Sequence, residues 1–227
     1  MAETRLIGLV GGLGPAATVH YYQALLMECG RRRLVARIVM THADAHRVLA
    51  AAAEGDLKGM ALYLADRIAE LDRAGAGIIA IGAVTPHMCM PELAALTRSP
   101  LIDPIDVLSH ELKCAGIERV ALMGTRATVA GRLFGRLGAT ILDPSPAQVA
   151  RIHDLYLSIV RTGQGGSGEA EALGTLARGL VQDLKVQAVV LAGTELALVP
   201  AGAWDGVRIV DCAKLHVEAI VAAAIPA

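Results

Sequence analysis

The stretch L-I-G-L-V-G-G-L-G-P, from Leu6 to Pro15, passes directly from a short apolar run into a glycine-rich turn closed by proline. A run apolar on both faces suits a strand buried in a parallel sheet, and proline is tolerated at the first position of a helix, where no backbone donor is needed. Reading outward, strand-like runs alternate with helical patterns. A helix is predicted near Thr18 to Cys29, then the strand A-R-I-V-M-T at 36–41, a long helix from about Asp56 to Ala74 and the strand G-I-I-A-I-G at 77–82. A helix after Pro86, the strand-like P-L-I-D-P-I at 100–105, a helix across Val107 to Ala115 and the strand R-V-A-L-M-G at 119–124 follow. The plan continues with A-T-I-L-D-P at 139–144, a helix around Ala147 to Thr162, the loop G-Q-G-G-S-G at 163–168 and a helix from Glu169 to Leu184. The strands A-V-V-L-A-G at 188–193 and V-R-I-V-D-C at 207–212 and a last helix complete the chain. Such alternation predicts βαβ units with parallel sheets.

The two halves echo each other. L-I-G-L-V-G-G-L-G-P answers R-V-A-L-M-G-T-R-A-T at Arg119 to Thr128, and G-I-I-A-I-G-A-V-T-P-H at 77–87 answers A-V-V-L-A-G-T-E-L-A-L at 188–198. The expected fold is therefore α/β: two similar flavodoxin-like parallel-sheet domains related by a pseudo-twofold. Residues 1–105 form the first, with a C-terminal helix 209–227 packing back on it, and residues 106–208 form the second. In open parallel sheets ligands bind beyond the carboxyl ends of the strands, so a shared cleft between the halves is the expected site.

Composition narrows the class. Hydrophobic residues make up 54% and aromatic residues 3% of the 227, so the core is packed from Ala, Val, Leu and Ile. The formal net charge is −1, and the one basic cluster, Arg31, Arg32 and Arg33, reads as a solvated helix end; nucleic acid is not an expected partner. No apolar stretch reaches the roughly 18 to 20 residues of a membrane span, and the N-terminus lacks the order of a signal peptide, so a cytoplasmic protein is expected. The four cysteines, Cys29, Cys89, Cys114 and Cys212, are far apart and without a C-x-x-C pair, so neither a metal site nor a disulfide framework is expected.

Gly11 to Pro15 is a turn whose backbone N–H groups and following helix dipole suit an anion. Reading Gly12, Gly14 and Ala17 as a dinucleotide fingerprint is disfavoured: Pro15 removes a donor where the phosphate would sit, and Asp44 lies too far on for a ribose partner. More specific are I-G-A-V-T-P-H at Ile81 to His87 and V-L-A-G-T-E-L at Val190 to Leu196. Taken with G-G-L-G-P, L-x-x-A-G-A ending at Ala76, G-T-x-x-T at Gly124 to Thr128 and D-x-x-x-x-H at Asp211 to His216, they resemble the aspartate/glutamate racemase family nearly end to end.

That resemblance implies two α/β domains, usually in a homodimer, with no cofactor and with a small carboxylate or amino acid as substrate. In the family, C-N-T-x-H closes one strand and G-C-T-E another, and the two cysteines face each other across the substrate α-carbon, one taking the proton and the other returning it. Here Ala83 and Gly193 stand where the two cysteines are expected, and Val84 replaces the asparagine. Thr85, His87, Thr194 and Glu195 are kept.

The expected catalytic set is accordingly Thr85, Thr194, Glu195 and His87, with Gly11, Gly12, Gly14, Arg47 and Thr125 binding substrate. Arg47, in the H-A-D-A-H-R-V loop after the second strand, is similar in place to an arginine that binds the distal carboxylate in aspartate racemases. Cys89 reads as a buried structural thiol, and small residues at 83 and 193 are expected to enlarge the pocket. The function expected is cofactor-independent carbanion chemistry on a small carboxylate, isomerase- or racemase-like but not by two thiols. A decarboxylase-type lyase and a non-catalytic descendant binding a metabolite or a protein are the alternatives.

Overall fold

The chain opens on a two-residue strand, Ala2–Glu3 (β1), followed by the expected buried strand Ile7–Gly11 (β2). In this computed structural model residues 2–130 and 133–226 are described, so Met1 and Ala227, the outer ends of the expected halves, lie outside the described residues. The helix Pro15–Arg31 (α1) starts on Pro15 and buries Ala17, Tyr21, Leu25, Glu28 and Cys29, spaced by three and four residues on one face. Leu34–Val35 (β3) pairs with β1, and Ile38–His42 (β4) pairs with β2 in register from Ile7↔Ile38 to Gly11↔His42. Two helices follow, Ala45–Glu54 (α2) and Leu57–Arg73 (α3), and then Ile78–Ile81 (β5), which pairs with the other edge of β2. The resulting parallel sheet has the order β4-β2-β5. Val10, Ile79 and Ile81 of that sheet pack on Met60, Leu64, Ile68 and Leu71 of α3.

The helix α2 corrects one expectation, because after a two-residue link at 43–44 the expected loop is helical from Ala45 onward. Asp44 caps the helix by accepting from the His46 N–H at 2.8 Å, the alanine-rich run propagates it, and Gly55 ends it in the left-handed conformation (φ 71°). Two more elements differ from their expected form. After β5 the chain makes a 3-10 turn, Thr85–Cys89, and only then the five-residue helix Met90–Ala94 (α4). The apolar run at 100–105 contributes a single bridge, Ile79↔Leu101, before Pro104 starts the helix Pro104–Cys114 (α5).

The second sheet begins with Arg119–Met123 (β6), followed by a short helix, Arg126–Ala130 (α6), and a 3-10 turn, Leu133–Arg136. Thr140–Ile141 (β7) is an edge strand of two residues. Pro146–Thr162 (α7) carries a full capping box between Ser145 and Gln148 and ends on Gly163 (φ 71°). Ser167–Leu184 (α8), Ala188–Leu191 (β8), two 3-10 turns and Ile209–Asp211 (β9) complete an all-parallel sheet of order β7-β6-β8-β9. Its core joins Ile152, Leu155, Tyr156 and Ile159 of α7 to Leu173, Ala177 and Leu180 of α8.

The last helix is Cys212–Ala223 (α9). The chain divides into two units: residues up to Asp103 together with those from Leu215 onward, and Pro104–Lys214. β9 pairs with β8 through Ile209↔Val189 and Asp211↔Leu191, so residues 209–214 belong to the second unit rather than to the return onto the first. No helix among the described residues is long and apolar enough to cross a membrane.

Candidate functional site

In the second unit, β8 ends in Ala192 and Gly193, and a 3-10 turn, Thr194–Leu198, begins immediately. That geometry places Gly193, Thr194 and Glu195 at the carboxyl end of a buried strand. Beside them stands Tyr156, brought there by α7, whose buried face repeats at Ile152, Leu155, Tyr156 and Ile159. The Tyr156 hydroxyl donates a hydrogen bond to Glu195 Oε2, and Thr194 Oγ1 donates to the same oxygen at 2.8 Å. Thr194, Glu195 and Tyr156 are all buried.

Position 193 is not open space. A Cβ built on Gly193 would lie 2.9 Å from the Tyr156 hydroxyl oxygen and 3.0 Å from its Cζ, with Cε2 closer still. The expected enlargement of the pocket is therefore overturned here, since an aromatic ring fills the volume that a larger residue 193 would need. Burial and the facing Glu195 carboxylate push the Tyr156 phenol well above its ordinary range, so it is a protonated phenol at neutral pH.

Thr125, at the end of β6, accepts from the Thr128 N–H at 3.1 Å, and the two hydroxyls are 2.9 Å apart. Its oxygen thus caps the start of α6, in the manner usual for threonine at such a position.

In the first unit, β5 leads into Gly82 and the half-buried Ala83, then into the turn holding half-buried Thr85 and buried His87. His87 Nδ1 donates to the Val84 carbonyl at 3.2 Å, and its ring meets His216 edge-on at 6.0 Å between centroids. His216 is fully buried on α9; its Nε2 donates to the Ile102 carbonyl at 2.8 Å, which leaves Nδ1 to accept from the Tyr21 hydroxyl at 2.9 Å. Burial, reinforced by His87, lowers the His216 pKa to about 3, so the ring is neutral.

The glycine-rich turn after β2 is drawn in on itself. The Gly12 N–H is taken by Thr18 Oγ1 at 3.0 Å, and Thr18 in turn donates to the Gly14 carbonyl at 2.8 Å. Gly12 has a φ of 85°, and a Cβ there would sit 2.6 Å from the His42 ring, so the turn requires glycine. Gly11 ends β2, and Gly14 precedes α1 in an extended conformation. Arg47 projects from α2 with its guanidinium 4.3 Å above the Tyr63 ring, and with Glu54, Asp56 and Tyr63 it lines a groove of about 240 Å³.

Cys29, Cys89 and Cys212 are buried, and Cys114 is exposed on α5. Cys89 donates to the Pro86 carbonyl at 3.1 Å, and burial pushes its thiol up to about 12, so it holds no thiolate at neutral pH.

Three residues of these clusters escaped the sequence reading: Tyr156, Tyr21 and, as a buried acceptor, His216. One signal was available, since the chain has only four tyrosines, and a ring on the buried face of a helix in so aromatic-poor a core has a positional role.

Each of the two parallel sheets carries a threonine with a histidine or a glutamate in the turn that follows a strand end, Thr85 and His87 after β5 and Thr194 and Glu195 after β8. The sequence matches the Asp/Glu/Hydantoin racemase family over residues 10–220, and the chain belongs to that family. Similar solved structures include an aspartate racemase homologue from Pyrococcus horikoshii, 21% identical with a TM-score of 0.84, covering 97% of this chain and 99% of that one. The aspartate racemase of Picrophilus torridus is 20% identical with a TM-score of 0.74, covering 97% and 94%. An arylmalonate decarboxylase is 14% identical with a TM-score of 0.57, covering 98% and 93%. At these identities the likeness is one of fold.

Proposed function

We propose that this protein is a cofactor-independent enzyme that binds a small carboxylic or amino acid and carries out carbanion-type chemistry without a pair of thiols. The observation that carries this reading is the cluster at Gly193: Tyr156 occupies the side-chain space, while Thr194 and Glu195 are retained and bonded to one another. A site abandoned by function has no need to keep two buried hydroxyls on one buried carboxylate, an arrangement that costs desolvation unless every member is satisfied. The two-thiol route of aspartate or glutamate racemisation is not assigned to it, because residues 83 and 193 carry no thiol and burial pushes the Cys89 thiol up to about 12.

Hydroxyls and amides near strand ends supply the electrostatic half of such chemistry, stabilising an enediolate as it forms. Thr85 and Thr194 are assigned to that role, with His87 and Glu195 positioning them. The engagement of the Gly12 N–H by Thr18, and of Thr125 by α6, favours the second reading, a non-catalytic binding descendant.

The two readings part in a direct experiment. Thermal shift with L-aspartate, L-glutamate, malonate and phenylmalonate identifies a ligand, a gain of about 2.7 kcal/mol being expected at a hundredfold excess over Kd. The same compounds are then followed in D₂O by NMR. Deuterium at Cα or loss of carbon dioxide supports the enzyme; a bound ligand with neither establishes the non-catalytic descendant. Thr85→Val and Thr194→Val are each expected to weaken the ligand by about tenfold, since a hydrogen bond to a charged group contributes about 1.5–3 kcal/mol.

A further inference from the structure

We infer that the exposed flank of α1 is a contact surface for a second copy of this chain, the two helices crossing antiparallel about a twofold axis beside Gln23. The inference is independent of the chemistry proposed above and concerns a surface of the first unit.

The helix has two unlike faces. One is buried through Ala17, Tyr21, Leu25, Glu28 and Cys29. On the other stand Val19, Tyr22, Leu26 and Met27, exposed by 57%, 42%, 42% and 75%. A helix face turned to water ordinarily carries charge, yet the thirteen residues from Pro15 to Met27 include no Asp, Glu, Lys or Arg. Charge returns only at the end of the helix, where Glu28 holds Arg31 and Arg32 in ion pairs.

The apolar surface does not stop at the helix. Met40, 43% exposed on β4 at the edge of its sheet, reaches toward α1. A Cβ placed on Gly11 would meet both Thr18 Cγ2 and, at 3.5 Å, Met40 Cε, so the tip of Met40 lies beside the helix. The missing side chain at Gly11 lets strand edge and helix flank form one patch. Val19, Tyr22, Leu26, Met27 and Met40 together expose about 500 Å², at the upper end of the roughly 300–600 Å² patch of an ordinary monomer. Aromatic residues and methionine in a patch free of charge are the composition of an interface core.

Three properties make the occupant a second copy. A twofold sets a surface against itself, so a patch with one sign of charge repels its own copy, and this patch has no charge to oppose. The twofold also doubles the apolar contribution to about 1,000 Å², most of the roughly 1,200–2,000 Å² that a stable interface buries, with the polar rim adding the rest. An antiparallel crossing, finally, places the positive end of each helix dipole beside the negative end of the other. Gln23 lies midway between Val19 and Leu26, and its amide, donor and acceptor at once, pairs with the same amide across the axis. Val19 of one copy then faces Leu26 of the other.

Sedimentation velocity of the full chain is expected to show a dimer with a Kd of about 1 μM or tighter. Val19→Lys and Leu26→Asp are each expected to weaken it by about 100-fold or more, while the chain carrying both regains at least about tenfold, because each lysine meets the aspartate of the other copy. In a Cys114→Ser background, which removes the exposed thiol, Gln23→Cys is expected to close an intermolecular disulfide under mild oxidation. Helices packed about 8–10 Å apart bring facing Cα atoms within its reach. Thr175→Cys, exposed on α8, is the control that stays unlinked. Every altered position is exposed, so the variants are expected to melt like the parent. A monomeric parent overturns the inference, and so does a dimer that keeps its affinity in both single variants. A dimer that Leu26→Asp breaks, but that neither the double variant restores nor Gln23→Cys links, overturns the antiparallel crossing.

Discussion

A single methyl group added at Gly193 is expected to cost more stability than its size suggests. The backbone there is extended, with φ −156° and ψ 134°, so alanine adopts it without strain. The cost is steric. The new Cβ would sit 2.9 Å from the Tyr156 hydroxyl oxygen and 3.0 Å from Cζ, where carbon contacts prefer about 3.5–4.0 Å. The ring has nowhere to retreat, because α7 packs it in the core and its hydroxyl is bound to Glu195. Overpacking costs about 1–3 kcal/mol, and alanine recovers about 0.4–1 kcal/mol by restricting the unfolded chain, leaving a net loss of about 1–2 kcal/mol. Urea unfolding followed by fluorescence measures it locally, since the chain's one tryptophan, Trp204, belongs to the same core cluster as Tyr156. In a Tyr156→Leu background, which lacks the ring edge, the penalty of Gly193→Ala is expected to fall by about 1 kcal/mol, a coupling that a double-mutant cycle resolves. Gly193→Ala within about 0.5 kcal/mol of the parent, or strict additivity with Tyr156→Leu, would refute the claim that the ring fills this space.

Stability is expected to fall as pH drops from about 6.5 toward 3, because the unfolded chain binds a proton at His216 that the folded chain refuses until its pKa near 3 is reached. His216 faces Tyr21, His87, Asp103 and the Ile102 carbonyl, none of which supplies a carboxylate strong enough to reverse that direction. Denaturation at several pH values should show His216→Gln with a slope lower by about one proton, roughly 1.4 kcal/mol per pH unit; an unchanged slope would contradict the neutral ring. At pH 8 a thiol reagent followed by mass spectrometry is expected to label the exposed Cys114 first and the buried Cys89 last; early labelling of Cys89 would contradict its raised pKa. Gly12→Ala is expected to destabilise by about 1–3 kcal/mol in thermal or urea unfolding, because φ is 85° and the His42 ring stands 2.6 Å from the added atom, and a neutral substitution would show that the turn relaxes.

The strands were legible because burial on both faces leaves a continuous apolar run: β2, β5, β6 and β8 stand where I-G-L-V-G, I-I-A-I, R-V-A-L-M and A-V-V-L are written. Helix α2 was not, because the polar H-A-D-A-H-R masks a helix whose signals are the cap at Asp44 and the alanines after Arg47. P-L-I-D-P-I reads as a strand by composition, yet Pro104 starts a helix after a single bridge. That Thr85, His87, Thr194 and Glu195 lie in turns after strands was legible from the apolar runs before them, and their candidacy came from the resemblance to the racemase family. Tyr156 was not, since the turn is local and the ring arrives from a helix 39 residues away. The bond between Tyr21 and His216 spans 195 residues, and no local pattern announces it.

The return of α9 has a consequence for how the chain is made. Residues 104–214 are contiguous, so the second unit is synthesised as one block ahead of the residues from Leu215 onward. The first unit is not: its Tyr21 waits for His216, its Arg5 N–H for the Ala224 carbonyl, and its Arg32 for the Glu218 carbonyl. Arg5, Tyr21 and Arg32 are therefore tied down only once residues 216–224 have been made, and in the interval the face of α1 around Tyr21 is open to solvent. Sequence changes at His216, Glu218 and Ala224 will accordingly be felt at Tyr21, Arg32 and Arg5, as slower maturation and greater losses to proteolysis.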